Sequence, residues 1–240
     1  MDRFDDSIFA MRVKVWLGVV FVSLIAPHLI AVLAAGGPLE TAPVATSFRE
    51  DAVVLDPPTP QLPRPVNVRM YRSPEVTSEV LSAALHVAEA TFAAASVDVV
   101  WKVCGPAECN VPPTPTERLV RLVRAPEGAS RDTRCLGDAL IDARKGTGVL
   151  ATVYIDRVLD LARHLDINHP TLLGRTIAHE IGHLLLATNT HSTSGLMREL
   201  WSPDELLASR ADDWVLRPFE AAAIRRRLTM SRAALPQGTT

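Results

Sequence analysis

The protein has 240 residues, of which 48% are hydrophobic and 22% are charged, and its formal net charge at pH 7 is −2. This length and composition predict that most of the chain folds around one sizeable hydrophobic core. The slightly negative charge argues against a nucleic-acid-binding protein, because contacts with phosphates require a basic surface.

The first predicted element is an apolar segment near the N-terminus. Residues 15–35 contain no charged side chain, and Arg12 and Lys14 precede them. Their length suits a membrane-spanning helix, whereas the small residues at their end, 34–37, suit cleavage by a signal peptidase. Residues 1–35 are therefore predicted to be a signal peptide or an N-terminal membrane anchor. Both alternatives place the rest of the chain outside the cytoplasm, and only an uncleaved anchor attaches it to the membrane.

A proline-rich stretch follows. Residues 36–65 include seven prolines, which disfavour both a helix and a central strand. They are predicted to form an extended, disordered linker. Residues 66–232 then form the predicted folded domain, and residues 233–240 a flexible tail.

Hydrophobic periodicity within the domain predicts a strand, a helix, four strands, two helices, a loop and further helices. The predicted strands are 66–71, 97–103, 118–125, 135–142 and 149–156. The first helix is predicted to begin at Ser73 and Pro74, and later helices are predicted at 157–166, at 169–187 and after Pro203 and Pro218. This order indicates an α+β fold with a twisted sheet of four to five strands.

The three cysteines are consistent with an extracytoplasmic domain. Cys104 and Cys109 bracket the turn-like sequence GPAE, which favours a disulfide between them. Cys135 would then be unpaired. A Cys104–Cys135 bridge and three buried thiols are the alternatives.

The sequence AHEIGH, residues 178–183, contains the H-E-x-x-H pattern on a predicted helix. Residues four apart lie on the same helix face, so His179 and His183 can present two imidazoles to one metal ion. Glu180 lies about 100° around the helix, where it can take a proton from water without ligating the metal. The pattern thus predicts one catalytic zinc ion, with Glu180 as general base.

A third ligand must come from outside this helix. His191 is the leading candidate, because Thr188, Asn189 and Thr190 continue a helix poorly, and Asn189 can adopt the left-handed conformation that ends helices. The alternative is an acidic ligand from a later helix, Glu205, with Glu199 behind it.

These residues resemble the metzincin clan of zinc peptidases. The clan's motif is H-E-x-x-H-x-x-G-x-x-H followed by a turn that carries a methionine, and the HS…GLM segment is similar to the third ligand and Met-turn of matrixin-type members. The clan's glycine position is Leu186 and its third-histidine position is Asn189, so His191 lies two residues late. A helix extended by half a turn, with Asn189 in the role of the glycine, would reconcile the two patterns.

The resemblance implies a zincin-like fold with an active-site helix that carries HExxH, a Met-turn at Met197 and a C-terminal helical part. It also implies that GDALIDA or its neighbour is an exposed edge strand that binds an extended peptide. The resulting prediction is an extracytoplasmic zinc metalloendopeptidase acting on a peptide or protein substrate. A thermolysin-like peptidase with Glu205 as third ligand, or a catalytically silent zinc-binding module, are the alternatives.

Overall fold

The computed structural model describes residues 64–105, 109–126, 135–142 and 144–233. The predicted N-terminal segment, nearly all of the predicted linker and the tail after Ala233 lie outside these residues. Within the described part of the chain, no helix has both the length and the hydropathy needed to cross a membrane.

Five strands form one mixed sheet. They are β1 (Val66–Tyr71), β2 (Val99–Cys104), β3 (Arg118–Val123), β4 (Gly137–Asp142) and β5 (Thr147–Tyr154). Their spatial order is β2-β1-β3-β5-β4, with β1, β2, β3 and β5 parallel and β4 antiparallel to β5. Only four residues separate β4 from β5 along the chain, and so short a connection suits an antiparallel pair. Among the described strands, β4 and β2 therefore occupy the two edges.

Within the described residues, five α-helices and a short 3-10 helix accompany the sheet. They are α1 (Ser78–Ala94), α2 (Ile155–His164), α3 (His169–Leu186), α4 (Pro203–Ala208), the 3-10 helix Ala211–Trp214 and α5 (Pro218–Ala233). The α+β class, the five-stranded sheet and the order of elements predicted from periodicity are confirmed.

Helix α3 runs through the middle of the core. All but one of its residues from Leu172 to Leu185 are buried. Two glycines permit close contacts with its neighbours: a Cβ atom at Gly174 would lie 2.3 Å from the Ala84 carbonyl oxygen of α1, and one at Gly148 would lie 2.2 Å from the Cα of Leu184. Helix α3 is thus held between α1 and β5, which gives the HExxH residues a rigid support.

The predicted start of α1 is wrong by one turn. Ser73 and Glu75 form a turn, in which the Ser73 hydroxyl accepts the Glu75 N–H at 3.3 Å. The helix begins at Ser78, after Thr77, whose side chain accepts the Val80 N–H at 3.3 Å. Ser73 and Thr77 are each followed by an acidic residue two positions later, so both match the sequence signal for a helix start. Only Thr77 caps a helix here.

Cys104 and Cys109 form a disulfide with a Cα–Cα distance of 5.5 Å. Cys135 is exposed and is not part of a disulfide. The structure therefore contains the Cys104–Cys109 disulfide that the sequence favoured, and not a Cys104–Cys135 bridge or three thiols.

Candidate metal centre

Helix α3 presents two histidines from the same face. Asn168 caps the helix by accepting the Thr171 N–H at 2.9 Å, and a proline occupies its first turn. His179 and His183, one turn apart on this helix, are both buried. The spacing of the motif and the regular helix geometry are therefore sufficient to bring these two imidazoles together.

The third histidine joins them from the loop after α3. The Nε2 atom of His183 lies 3.1 Å from that of His179 and 3.2 Å from that of His191. Ligand atoms of these residues all lie within 4.8 Å of one another, and His191 is the exposed member of the group. Zinc–nitrogen bonds of 2.0–2.1 Å in a tetrahedral site place ligand nitrogens about 3.3 Å apart. The triad has the size and the donor atoms of a three-ligand zinc site with one open position.

Backbone carbonyls orient the two helical imidazoles. Nδ1 of His179 lies 2.8 Å from the Leu196 carbonyl oxygen, and Nδ1 of His183 lies 2.8 Å from that of Thr188. When Nδ1–H donates to a carbonyl, Nε2 carries the free lone pair. Both rings are thereby held in the tautomer that can bind a metal through Nε2.

Burial keeps these two imidazoles neutral in the absence of metal. Desolvation, followed by the neighbouring histidine charge, lowers the pKa of His179 to about 3. Desolvation likewise lowers the pKa of His183 to about 4. A neutral imidazole is the form that coordinates metal ions, so protons compete weakly for these ligands near neutral pH.

The end of α3 differs from the sequence-based expectation. Ala187, not Asn189, adopts the left-handed conformation, with φ of 52°. The chain leaves the helix there, and the Thr188 N–H still bonds to the His183 carbonyl at 3.4 Å. An alanine in this conformation carries no local sequence signal, because glycine and asparagine are the residues that favour it. The early exit places the Thr188 carbonyl beside the His183 ring and gives the chain four residues in which to reach His191.

The predicted Met-turn residue lies against the same helix. Met197 is buried, and a Cβ atom at Gly182 would lie 2.5 Å from its sulfur. Its carbonyl accepts the Ser192 N–H at 2.8 Å, which closes the loop after His191. Met197 therefore fills the space between this loop and the helix turn that carries His183.

Glu180 lies under the first residue of β4. Its side chain is 5% exposed, and a Cβ atom at Gly137 would lie 2.6 Å from its Oε1. Its Oε2 is buried without a hydrogen-bond partner among the described residues. Desolvation, with a smaller effect from the charge of Asp138, raises the pKa of Glu180 to about 8. A buried carboxyl with an oxygen that has no hydrogen-bond partner is costly, which marks Glu180 as a candidate functional group.

The predicted alternative ligands lie elsewhere. Glu205 forms an ion pair with Arg198 and accepts the Ser202 N–H at 2.8 Å, so its carboxylate is committed to capping α4. Burial lowers the pKa of His191, and the nearby negative charge of Glu199 opposes this effect. Among the described residues, neither glutamate belongs to the histidine cluster.

A tryptophan pair borders the site and was missed by the sequence analysis. The ring of Trp201 meets that of His179 edge-on, with centroids 5.6 Å apart, and its Nε1 lies 3.4 Å from the same Leu196 carbonyl that His179 uses. Trp214 is packed against Trp201 at 5.1 Å. The contributions of the Leu196 and Thr188 carbonyls had no sequence signal, since every residue has a carbonyl. Gly182, by contrast, could have been noticed as a glycine inside a helix.

No protein-family model and no curated protein matches the sequence. The crystal structure of archaemetzincin from Methanopyrus kandleri is similar to this chain, with a TM-score of 0.48 and 16% sequence identity. The match covers 70% of this chain and 99% of that one. The chemistry of the histidine site rests on the contacts described above.

Proposed function

We propose that this protein is a zinc-dependent endopeptidase. The observation that carries the proposal is the convergence of imidazole Nε2 atoms from His179, His183 and His191. The buried Glu180 directly follows the first of these ligands on α3. A structural zinc site has four protein ligands, whereas three ligands and a nearby proton acceptor are typical of a hydrolytic site.

The residues present fit a zinc ion. His179, His183 and His191 would hold it through Nε2, and the ion would polarise a substrate carbonyl and acidify a water molecule. Glu180 accepts a proton from the attacking water and delivers it to the amine as the C–N bond breaks. The contact of this side chain with Gly137, where α3 meets β4, supports a role close to that strand.

Strand β4 is the proposed binding surface for an extended peptide. It pairs with β5 on one side and has no partner on the other side among the described strands. Asp138 and Leu140 on this strand are exposed, and its first residue covers Glu180. A peptide added at this edge would pair through its main chain, which is a common way of binding extended substrates.

The proposed location is outside the cytoplasm, either secreted or attached to a membrane. Two features support it: the apolar N-terminal sequence and the Cys104–Cys109 disulfide, which persists in oxidising compartments. The proposed substrate is accordingly an extracytoplasmic peptide or protein.

The experiment that tests this function measures metal content and hydrolysis on one preparation. Full-length protein, purified in detergent with zinc present, is expected to contain about one zinc per chain, as a single three-histidine site requires. It is expected to cut peptides of a random library, and a chelator should abolish cutting until zinc is restored. Absence of zinc would overturn the proposal. Zinc without cleavage of any peptide would favour the silent binding module, and loss of zinc on removal of the Glu205 carboxylate would favour the thermolysin-like site.

A further inference from the structure

A buried carboxylate in α5 reaches back to the metal-binding loop. Glu220 is 2% exposed, and its Oε1 accepts a hydrogen bond from the hydroxyl of Ser192, the residue after His191. Its Oε2 accepts the Arg217 N–H at 2.6 Å. One side chain thus connects the start of α5 to the residue beside the third histidine, 28 positions away in sequence.

Capping of α5 explains only one of these two bonds. A glutamate in the first turn that accepts the N–H of the residue before the helix satisfies an otherwise free donor and interacts favourably with the helix dipole. That role uses Oε2 of Glu220 and could be performed by an exposed side chain. Burying a carboxylate is costly unless its oxygens are hydrogen-bonded, and among the described residues no lysine or arginine forms an ion pair with Glu220. Burial of Glu220 therefore serves the hydrogen bond to Ser192, which capping of α5 does not require.

The same C-terminal segment holds the loop at a second point. The Val215 carbonyl accepts the Leu196 N–H at 2.9 Å, and the Leu196 carbonyl in turn bonds to Nδ1 of His179. Gly195 adopts φ of +80°, and a Cβ atom there would lie 2.8 Å from the Val215 oxygen. Segment 215–220 therefore contacts the loop once on the His191 side and once on the His179 side.

Ser192 itself is rigidly placed. Its N–H bonds to the Met197 carbonyl at 2.8 Å, and it forms an isolated bridge with Arg198. His191, by contrast, is exposed, and no carbonyl contact of the kind that orients His179 and His183 is found for it within the described residues. The position of the His191 ring therefore depends on how the loop backbone at His191 and Ser192 is held.

We propose that Ser192 and Glu220 are positioning residues, whose hydrogen bond holds the loop so that His191 completes the metal site. This inference rests on the proposed function, because it assigns a role to residues that act through a metal ligand. It also makes α5 part of the metal centre, although that helix contributes no ligand. Residues behind metal ligands change metal affinity by about 10- to 100-fold when they are removed.

The test measures zinc affinity by competition with a chromophoric chelator, on full-length protein and well below the melting temperature of each variant. Ser192→Ala removes only the hydroxyl and is expected to weaken zinc binding by about 10- to 100-fold. Ser192→Thr keeps a hydroxyl and should retain an affinity near that of the parent. Ser194→Ala is the matched control, since it makes the same change in the same loop, at a side chain without a hydrogen bond to Glu220.

A double-mutant cycle separates the proposed role from general loosening of the loop. If the Ser192 hydroxyl acts through the Glu220 carboxylate, removing the hydroxyl from a protein that already lacks the carboxylate has no further effect. The Glu220→Ala variant and the Ser192→Ala/Glu220→Ala double variant should then bind zinc with about the same affinity. The spectrum of the cobalt-loaded parent should show tetrahedral coordination, and Ser192→Ala should shift it.

Three outcomes overturn the inference: parental affinity in Ser192→Ala, equal losses in Ser192→Ala and Ser194→Ala, or additive losses in the cycle. The first of these relies on the serine variant alone, so it remains decisive if Glu220→Ala fails to fold. A parent protein that binds no zinc overturns the proposed function instead, and this result is distinguishable from the others.

Discussion

Gly182 and Met197 are in direct contact, and a Cβ atom at position 182 would lie 2.5 Å from the methionine sulfur and 3.1 Å from its Cε. The glycine belongs to the HExxH motif and the methionine to the loop after His191. Their contact therefore sets the distance between the helix and the loop that together supply the three histidines.

Gly182→Ala should weaken zinc binding by about 10- to 100-fold, the effect typical of changes behind the metal ligands. Alanine favours a helix by roughly 1 kcal/mol, and overpacking a buried site costs about 1–3 kcal/mol, so the stability of the metal-free protein should change modestly. Zinc titration and thermal unfolding measure the two effects. Adding Met197→Ala should recover part of the affinity by removing the clash. Unchanged zinc binding in Gly182→Ala would show that the loop adapts.

Glu180→Gln should keep the zinc and lower peptide hydrolysis by about 10²- to 10⁴-fold, since an amide cannot accept the proton of water. Metal analysis and peptide cleavage on the same preparation give both quantities. Retained hydrolysis in this variant would assign the proton transfer to another group.

His191→Ala should weaken zinc binding by at least about tenfold, because it removes a direct ligand. Glu205→Ala should leave zinc affinity nearly unchanged and lower stability by roughly 1–3 kcal/mol, since it removes a partner of the buried Arg198 side chain. Zinc titrations and denaturant unfolding of both variants decide between the two candidate ligands. The reverse pattern of zinc affinities would contradict the histidine triad.

Gly137→Ala should reduce hydrolysis while zinc binding persists. The new Cβ atom would lie 2.6 Å from Glu180 Oε1 and 2.7 Å from the Thr152 carbonyl oxygen. Because the second neighbour is a backbone atom, β4 must move, and Glu180, the proposed proton acceptor, and the proposed peptide-binding edge move apart. The kinetic constants and the zinc content are measured together. Equal losses of zinc and activity would indicate damage to the whole site instead.

The metal-free protein should be most stable at about pH 6.5. The pKa values of His179 and His183 are about 3 and about 4 in the folded state, below the ordinary value of 6.5, so stability falls as the pH drops from 6.5 toward 4. The pKa of Glu180 is about 8, above the ordinary 4.5, so its contribution falls as the pH rises from 4.5 to 8. Between about pH 4.5 and pH 6.5, the two histidines change the free energy of unfolding more steeply with pH than the single carboxyl does, so stability rises toward pH 6.5.

Thermal unfolding of the metal-free parent and Glu180→Gln between pH 5 and pH 8.5 tests this balance. The amide does not ionise, so the variant should keep its stability above pH 6.5 while the parent loses it. Parallel curves for the two proteins on the alkaline side would mean that Glu180 is not the group responsible.

Local patterns were sufficient for those parts of the fold and the site that depend on neighbouring residues. The spacing of His179 and His183 follows from 3.6 residues per turn, and the strand and helix order follows from the period of the apolar residues. The pairing of Cys104 with Cys109 also joins residues only five positions apart, but the sequence left a Cys104–Cys135 bridge and three thiols open, and the structure selected among them.

The tertiary structure decided how the remaining groups meet. Ala187 adopts a left-handed conformation for which its sequence carries no signal, and the Leu196 carbonyl faces His179 because long-range contacts direct the loop. The contact of Gly137 with Glu180 and the bond from Ser192 to Glu220 join residues 43 and 28 positions apart. Periodicity reports which face of an element is buried, but not which element covers it. The ligand pair on α3 is thus a property of helix geometry, whereas the third histidine, its supports and the placement of Glu180 are products of packing between distant segments.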